Sequence, residues 1–394
     1  MSNSGSLLSK LNYILFMFYT ISIFIFSFKI EYVAISNNIF VLYAASALLK
    51  IIIKGKIQRN KIYIFTISFV FYSFLSCLWA VDPVSAFQKS NSLFLLICFS
   101  LITYQVFDKG NSINFILISI MVAGVAMELY SVFFYDFFTI VDAIITGQRL
   151  GGEINQANTF GIYLAFTCVI SAYYAIYKKK SLFYLITMTS FLLILSSGSR
   201  TGLAIGFLGL VLLFYFRSSE RRQYQGLLLS VFIGLLLFSI LQLSIFDEAT
   251  IRMQQLASIF STDKNIDNSA TVRLFMIEFG INKFMENPII GYGAESSRFL
   301  LETIYGNTYL HNNYVEILVN YGLLGFLFYY ITFLIILYKA WNGAKRKNPE
   351  SIIVTVLFIM ILISDYGTVS YYDKLIYIIL TAGFIHIKQP SSLL

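Results

Sequence analysis

Long apolar runs broken by short polar turns recur along most of this chain, and their length decides what they can be. The hydrocarbon core of a bilayer needs about 20 apolar residues per helix. By that ruler the pattern predicts about twelve spans, at 12–30, 33–53, 62–80, 87–106, 113–134, 159–177, 181–197, 201–216, 225–244, 314–338, 351–367 and 372–387. The expected fold is all-α: one polytopic membrane bundle over residues 1–394, with a large outer-face loop at about 245–313. Inside that loop, IFDEATIRMQQLASIF reads as an amphipathic helix that lies on the membrane or caps the bundle. SATVRLFMIEFGINKFMENP reads as a second helix. Leu274, Ile277 and Ile281 give it an apolar side, Ser269 or Thr271 would cap its start, and Asn287-Pro288 would stop it.

Composition and charge narrow the class. Only 12% of residues are charged and 58% are hydrophobic, against about a quarter charged in soluble domains. The net charge of +8 invites a nucleic-acid partner, but the basic residues sit in short loops between apolar runs, as orienting charges do. One set is Lys54, Lys56, Arg59 and Lys61, and another is Lys178, Lys179 and Lys180. Two more are Arg217, Arg221 and Arg222, and then Lys339, Lys345, Arg346 and Lys347. With twelve alternating spans and a cytoplasmic N-terminus, every set falls on the cytoplasmic side, and both termini do as well. Of the acids, only Asp108, Glu220 and Glu350 fall in cytoplasmic loops. Cys77, Cys98 and Cys168 lie in apolar segments without metal spacing and read as small core residues.

The polar residues gather on the opposite, outer face. Three of its arginines stand beside turns or helix starts suited to an anion. Arg149 precedes Gly151-Gly152, Arg200 ends the SGSR turn that begins a helix, and Arg273 lies near the start of the second loop helix. Together they outline a clamp for a diphosphate, with pairing to acids such as Glu153 or Asp267 as the plainer alternative. His311 is one of two histidines. It opens the polar HNN that precedes a span, and an imidazole there would take a proton from a hydroxyl. Its plainer reading is a helix cap. Asn312 supports the same turn, and Glu316 would orient the imidazole or pair with an arginine. His386, beside Lys388 at the cytoplasmic end, reads as structural. The GYG at 291–293 reads as a glycine turn rather than a potassium filter. Neither metal spacing nor a nucleotide fingerprint is present, so no metal or cofactor is expected and the reaction's energy must reside in the substrate.

Four segments in order resemble the bacterial O-antigen ligase and polymerase superfamily, integral-membrane glycosyltransferases of the GT-C type. His311-Asn312, nine residues, then Gly322-Leu323-Leu324-Gly325 is similar to the family's histidine motif. QRLGGEINQANTFGIYLA from Gln148, SGSRTGLA at 197–204 and the NPIIGYG loop resemble three others, so the likeness runs from about 148 to 338. The resemblance implies transfer of a glycan from an undecaprenyl-diphosphate carrier to a sugar hydroxyl at the outer face of the bacterial inner membrane. His311 would deprotonate the acceptor, and Arg149, Arg200 and Arg273 would hold the diphosphate, with Lys89 a fourth contact. It further implies inversion at the anomeric carbon. The acceptor is lipid A-core for a ligase, the first reading, or a second carrier-linked glycan for a polymerase. A transporter or flippase of polysaccharide units is the reading from another class. It predicts ionisable residues deep in spans and broken helices near mid-membrane.

Overall fold

A computed structural model describes residues 2–27, 29, 31–107, 111–146, 148–154, 156–217, 268–306 and 308–388, and every regular element among them is an α-helix. In chain order these are α1 (Ser2–Phe26), α2 (Val33–Lys54), α3 (Tyr63–Ser76), α4 (Pro83–Val106), α5 (Ser112–Tyr135), α6 (Phe137–Thr146) and α7 (Ala157–Tyr177). There follow α8 (Phe183–Ser197), α9 (Arg200–Arg217), α10 (Asn268–Glu286), α11 (Ser296–Tyr305), α12 (Asn313–Lys345), α13 (Pro349–Ser364) and α14 (Lys374–Lys388). Each expected span except 225–244 overlaps one of these helices. That span, the amphipathic segment at 245–260, and Asp108, Glu220, Arg221, Arg222, Arg252, Lys264 and Asp267 lie outside the described residues. Among the described residues, α1 from Leu7, α2, α4, α5, α7, α9 and α12 are long and apolar enough to cross a membrane. Large exposed side chains such as Ile52, Phe71, Phe133 and Leu185 are apolar, as a lipid-facing wall requires. The chain is a multi-pass helical membrane protein.

The centre of the bundle is α7, buried from Thr159 to Ile176 and packed against α5, α8 and α9. Membrane helices associate through close packing of small residues rather than hydrophobic drive. Accordingly, a Cβ placed on Gly202 of α9 would stand 2.7 Å from the Gly161 backbone of α7. Helix ends follow from sequence. Asp82 accepts from Ser85 N at 3.0 Å ahead of Pro83, and Asn348 accepts from Ser351 N at 3.0 Å ahead of Pro349. At the basic end, lysines cap helix carbonyls: Lys50 donates to Val106 O at 3.1 Å and Lys347 to Phe216 O at 2.8 Å.

Two short helices depart from the sequence expectation. α6 and α11 are ten residues each, too short for the spanning ruler. α6 lies between the expected spans 113–134 and 159–177, with Phe137 and Phe138 exposed and Asp136 accepting from Thr139 N at 2.9 Å. α10 ends at Glu286, just before Asn287-Pro288, and begins one residue ahead of Ser269.

α12 is the element that positions the polar end, and it is broken. Gly322 adopts φ 61° and ψ −167° inside it, leaving neighbouring amides and carbonyls without helical partners. The NPIIGYG loop supplies them. Tyr292 N donates to Val319 O at 2.9 Å and Gly293 N to Asn320 O at 2.8 Å, while Leu323 N donates to Pro288 O at 2.9 Å and Leu324 N to Ile289 O at 3.2 Å. A Cβ on Gly322 would meet Ile289 O at 2.3 Å, and one on Gly291 would meet Gly322 N at 2.5 Å. Two glycine motifs far apart in sequence are thus the halves of one clasp, and the GYG is its turn.

Candidate active site at the polar end of the bundle

His311 sits at the entrance to α12 in the left-handed backbone region, with φ 55°. That conformation costs a non-glycine residue about 1–3 kcal/mol and persists only where its surroundings hold it. They do so on both sides. Glu316, buried in α12, accepts from Leu310 N at 3.0 Å and from Ser297 Oγ at 2.9 Å. Asn312 caps the helix, accepting from Val315 N at 3.0 Å, and donates to Tyr366 O at 3.2 Å. Asn312 rather than His311 is the cap. The Glu316 carboxylate, taken up by Leu310 N and Ser297 Oγ, fixes the backbone ahead of the histidine.

The second asparagine of HNN ties a distant loop to the same place. Asn313 Oδ1 accepts from Ser370 N at 2.9 Å and Tyr371 N at 3.0 Å, and its Nδ2 donates to Tyr330 Oη at 2.9 Å. Tyr330 and Ser370 both donate to the buried Asp365 carboxylate. The segment between α13 and α14 is thereby held beside His311.

The imidazole is enclosed by an aromatic and a cation. The Tyr309 ring lies 4.1 Å from that of His311, centroid to centroid. Nδ1 of His311 is buried with no hydrogen-bond partner among the described residues. Burial, and secondarily the positive charge of Arg273, push the His311 pKa from its ordinary value down to about 4. The imidazole is therefore neutral at pH 7, below the ordinary titration range that the sequence alone suggests.

The other expected site residues gather at this end with different degrees of freedom. Arg149 donates to Asn158 Oδ1 at 2.8 Å and to Ser197 O at 3.4 Å, and Leu150 N donates to Ser196 O at 3.0 Å. The RLGG segment therefore lies along the SGSR turn that leads to Arg200, the first residue of α9. Gly198 is left-handed there with φ 58°, and Ser199 Oγ caps α9 by accepting from Gly202 N at 3.1 Å. Glu153 is the acceptor of the Tyr135 phenol at 2.5 Å. Lys89 is held most tightly: its Nζ is 2.9 Å from Glu295 Oε2 and 3.6 Å from the centroid of the Tyr372 ring. A diphosphate contact from Lys89 would require exchange of Glu295.

Sequence reasoning missed the residues that join these pieces. Gln156 Nε2 donates to Tyr309 Oη at 2.9 Å, so the QAN segment reaches both ways, through Asn158 to Arg149 and through Gln156 to the aromatic wall of His311. A cavity of about 270 Å³ is lined by Tyr309 and bounded by the end of α1, the start of α7 and the α13–α14 segment. Gln156 lay in plain view inside a quoted motif. Tyr309 had only its position, two residues ahead of the histidine, and Tyr372 and Asp373 had no local signal.

Two features that a transporter would show are present. One is the broken α12, and the other is Glu128, buried in α5. Both are internally satisfied: the break by the NPIIGYG loop, and the carboxylate by Thr189 Oγ1 at 2.8 Å and by Ser190 Oγ. Among the described residues neither lines the cavity.

Residues 183–330 match the family model described as O-Antigen ligase, from α8 into the second half of α12. A Rickettsia conorii protein provisionally named a polysaccharide ligase is 24% identical over 314 residues, 73% of this chain and 70% of the relative. The match covers the SGSR turn, Arg200, Arg273, the NPIIGYG loop, His311 and both glycines of the clasp.

Proposed function

We propose that this chain, whose residues 183–330 match the O-Antigen ligase family model, is an O-antigen ligase that joins a glycan from an undecaprenyl-diphosphate carrier to lipid A-core. The family supports a glycosyltransferase-like enzyme acting on lipid-linked or polymeric glycan. The carrier, the acceptor and the residue roles are the proposal. The observation that carries it is His311, held in a strained backbone beside the Tyr309 ring and under the charge of Arg273, its Nδ1 without a hydrogen-bond partner among the described residues.

In this reading the acceptor hydroxyl oxygen attacks the anomeric carbon as the bond from that carbon to the phosphate oxygen breaks. The electron pair of the broken bond leaves with the carrier diphosphate. The hydroxyl proton passes to the neutral imidazole of His311, which later releases it to water. Arg149, Arg200 and Arg273 bear the diphosphate and neutralise the charge that grows on it as it departs, work that needs no metal. Bringing an anion to Arg273 also offsets the charge that depresses the His311 pKa, so the base strengthens when the donor arrives. Direct displacement inverts the anomeric configuration. The active end would face the outer side of the inner membrane, with both termini in the cytoplasm.

The experiment is a deletion strain and its lipopolysaccharide. A ligase deletion leaves bare core with glycan stranded on the carrier. A core bearing a single repeat would instead make the protein a polymerase. Normal lipopolysaccharide would remove both readings.

A further inference from the structure

The cavity that Tyr309 lines has no part in holding the donor diphosphate, and its walls describe a different ligand. Its volume of about 270 Å³ falls just under the range of about 300–1,000 Å³ usual for drug-sized ligands, room for one ring rather than an oligosaccharide or an acyl chain. Apolar surface from Ile162, Phe166 and Leu375 faces polar groups from Gln156, Ser370 and Asp373. The Asp373 carboxylate is fixed in place by Tyr163 Oη at 3.0 Å and Leu375 N at 2.7 Å. Tyr372, another wall, is itself braced by the Lys89 ammonium over its ring.

This combination suits a pyranose. Ring C–H faces pack on aromatic and aliphatic walls, while vicinal hydroxyls bond a carboxylate and an amide. It disfavours a phosphate: among the described residues no arginine lines the cavity, and Lys374, next to Asp373, is the one basic lining residue. Tyr309 links the site to the base. Gln156 Nε2 donates to Tyr309 Oη at 2.9 Å, and the ring of that same tyrosine lines the cavity and has its centroid 4.1 Å from that of the imidazole. A ring seated in the cavity would therefore send a hydroxyl past Tyr309 toward His311.

We propose that this cavity is the acceptor subsite, taking a single uncharged pyranose of the acceptor glycolipid and presenting its hydroxyl to His311. The proposal rests on the transferase reading, and it adds residues at 364–376 that the family model does not cover. Gln156 and Asp373 are its binding groups, and Tyr309 is the positioning residue between the ring and the base.

The test uses the full-length protein in lipid nanodiscs, with carrier-linked glycan and glycolipid both extracted from a strain deleted for this gene. Val369→Phe fills the cavity from a wall residue outside the arginine and histidine machinery. Gln156→Leu removes a hydrogen bond from a solvent-exposed side chain, so it holds the test open if the bulkier variant misfolds. Val369→Phe is expected to raise the acceptor KM at least tenfold and Gln156→Leu about threefold to tenfold, with the donor KM unchanged for both. A rise in donor KM instead would make the cavity a donor-sugar site and overturn the proposal. Unchanged acceptor KM in variants that fold, with His311→Ala inactive, would overturn the subsite while leaving the transferase reading standing. Wild-type protein that transfers nothing to this glycolipid would remove the ligase reading itself.

Discussion

The chain's two histidines occupy opposite ends of the same bundle and differ in backbone conformation and in the groups beside them. His386, in α14, is 1% exposed, and its Nε2 lies 3.3 Å from Ser351 Oγ of α13 at the basic end, where lysines cap helix carbonyls. His311 stands outside α12 in a left-handed turn, within reach of the Arg273 charge and beside Tyr309, a residue that also lines the cavity. One imidazole joins two helices. The other is held in a strained turn beside the Tyr309 ring, and among the described residues Nδ1 of each imidazole lacks a hydrogen-bond partner. Residue type is the same in both, so chemistry at one end comes from what the backbone, Glu316, Asn312 and Asn313 impose there.

The largest expected effect separates the two. His311→Ala should lower transfer by about 10²–10⁴, the usual worth of a general base, while His386→Ala should leave the rate within about twofold and lower only the melting temperature. Comparable losses of rate from both would end the contrast. Next comes the clasp that supports the active end from below. Gly322→Ala places a Cβ 2.3 Å from Ile289 O at a left-handed position. The strain should cost about 1–3 kcal/mol, read as a lower melting temperature with a parallel fall in transfer. An unaltered melting curve would show that the break tolerates a side chain.

A third effect is a shift in pH dependence. Because the folded pKa of His311 lies below its ordinary value, the base form prevails at pH 7 and is lost only as pH falls toward about 4. Arg273→Gln removes a positive neighbour that disfavours the imidazolium, so the acid limb of kcat/KM should move to higher pH. It should move only part of the way to the ordinary value, since burial, the larger cause, remains. A limb that stays put would detach Arg273 from His311. The smallest effect belongs to Tyr309→Phe, which keeps the ring beside His311 and loses only the 2.9 Å bond from Gln156. A fall of a few-fold in transfer is expected, and a loss as deep as His311→Ala would make the phenol itself part of the chemistry.

The same contrast explains what the sequence could reveal. Spanning helices were legible because a bilayer imposes one length on every span, and the basic loops were legible because charge marks their ends. α6 and α11 escaped that ruler at ten residues each. His311 stood out through rarity and through the HNN that precedes α12. Its environment did not, since Tyr309 and Gln156 are 153 positions apart and meet only through folding. Gly322 and Gly291 read as separate motif glycines, and their union in one clasp depends on carbonyls freed by a helix break that no local pattern announces. Lys89 read as a phosphate contact because its partner Glu295 is more than two hundred positions away. The low pKa of His311 likewise reflects burial, a property of packing rather than of sequence.

The most direct test of the central claim separates capture of the donor from chemistry on it. Wild-type protein and His311→Ala, both in nanodiscs, would be given carrier-linked glycan and acceptor glycolipid in a single turnover. Bound donor, joined glycan and released carrier diphosphate would be measured together. The account predicts that both proteins bind donor equally. Wild type should release one diphosphate for each glycan joined, and His311→Ala should hold its donor and transfer almost none. Transfer by His311→Ala at near the wild-type rate would contradict it.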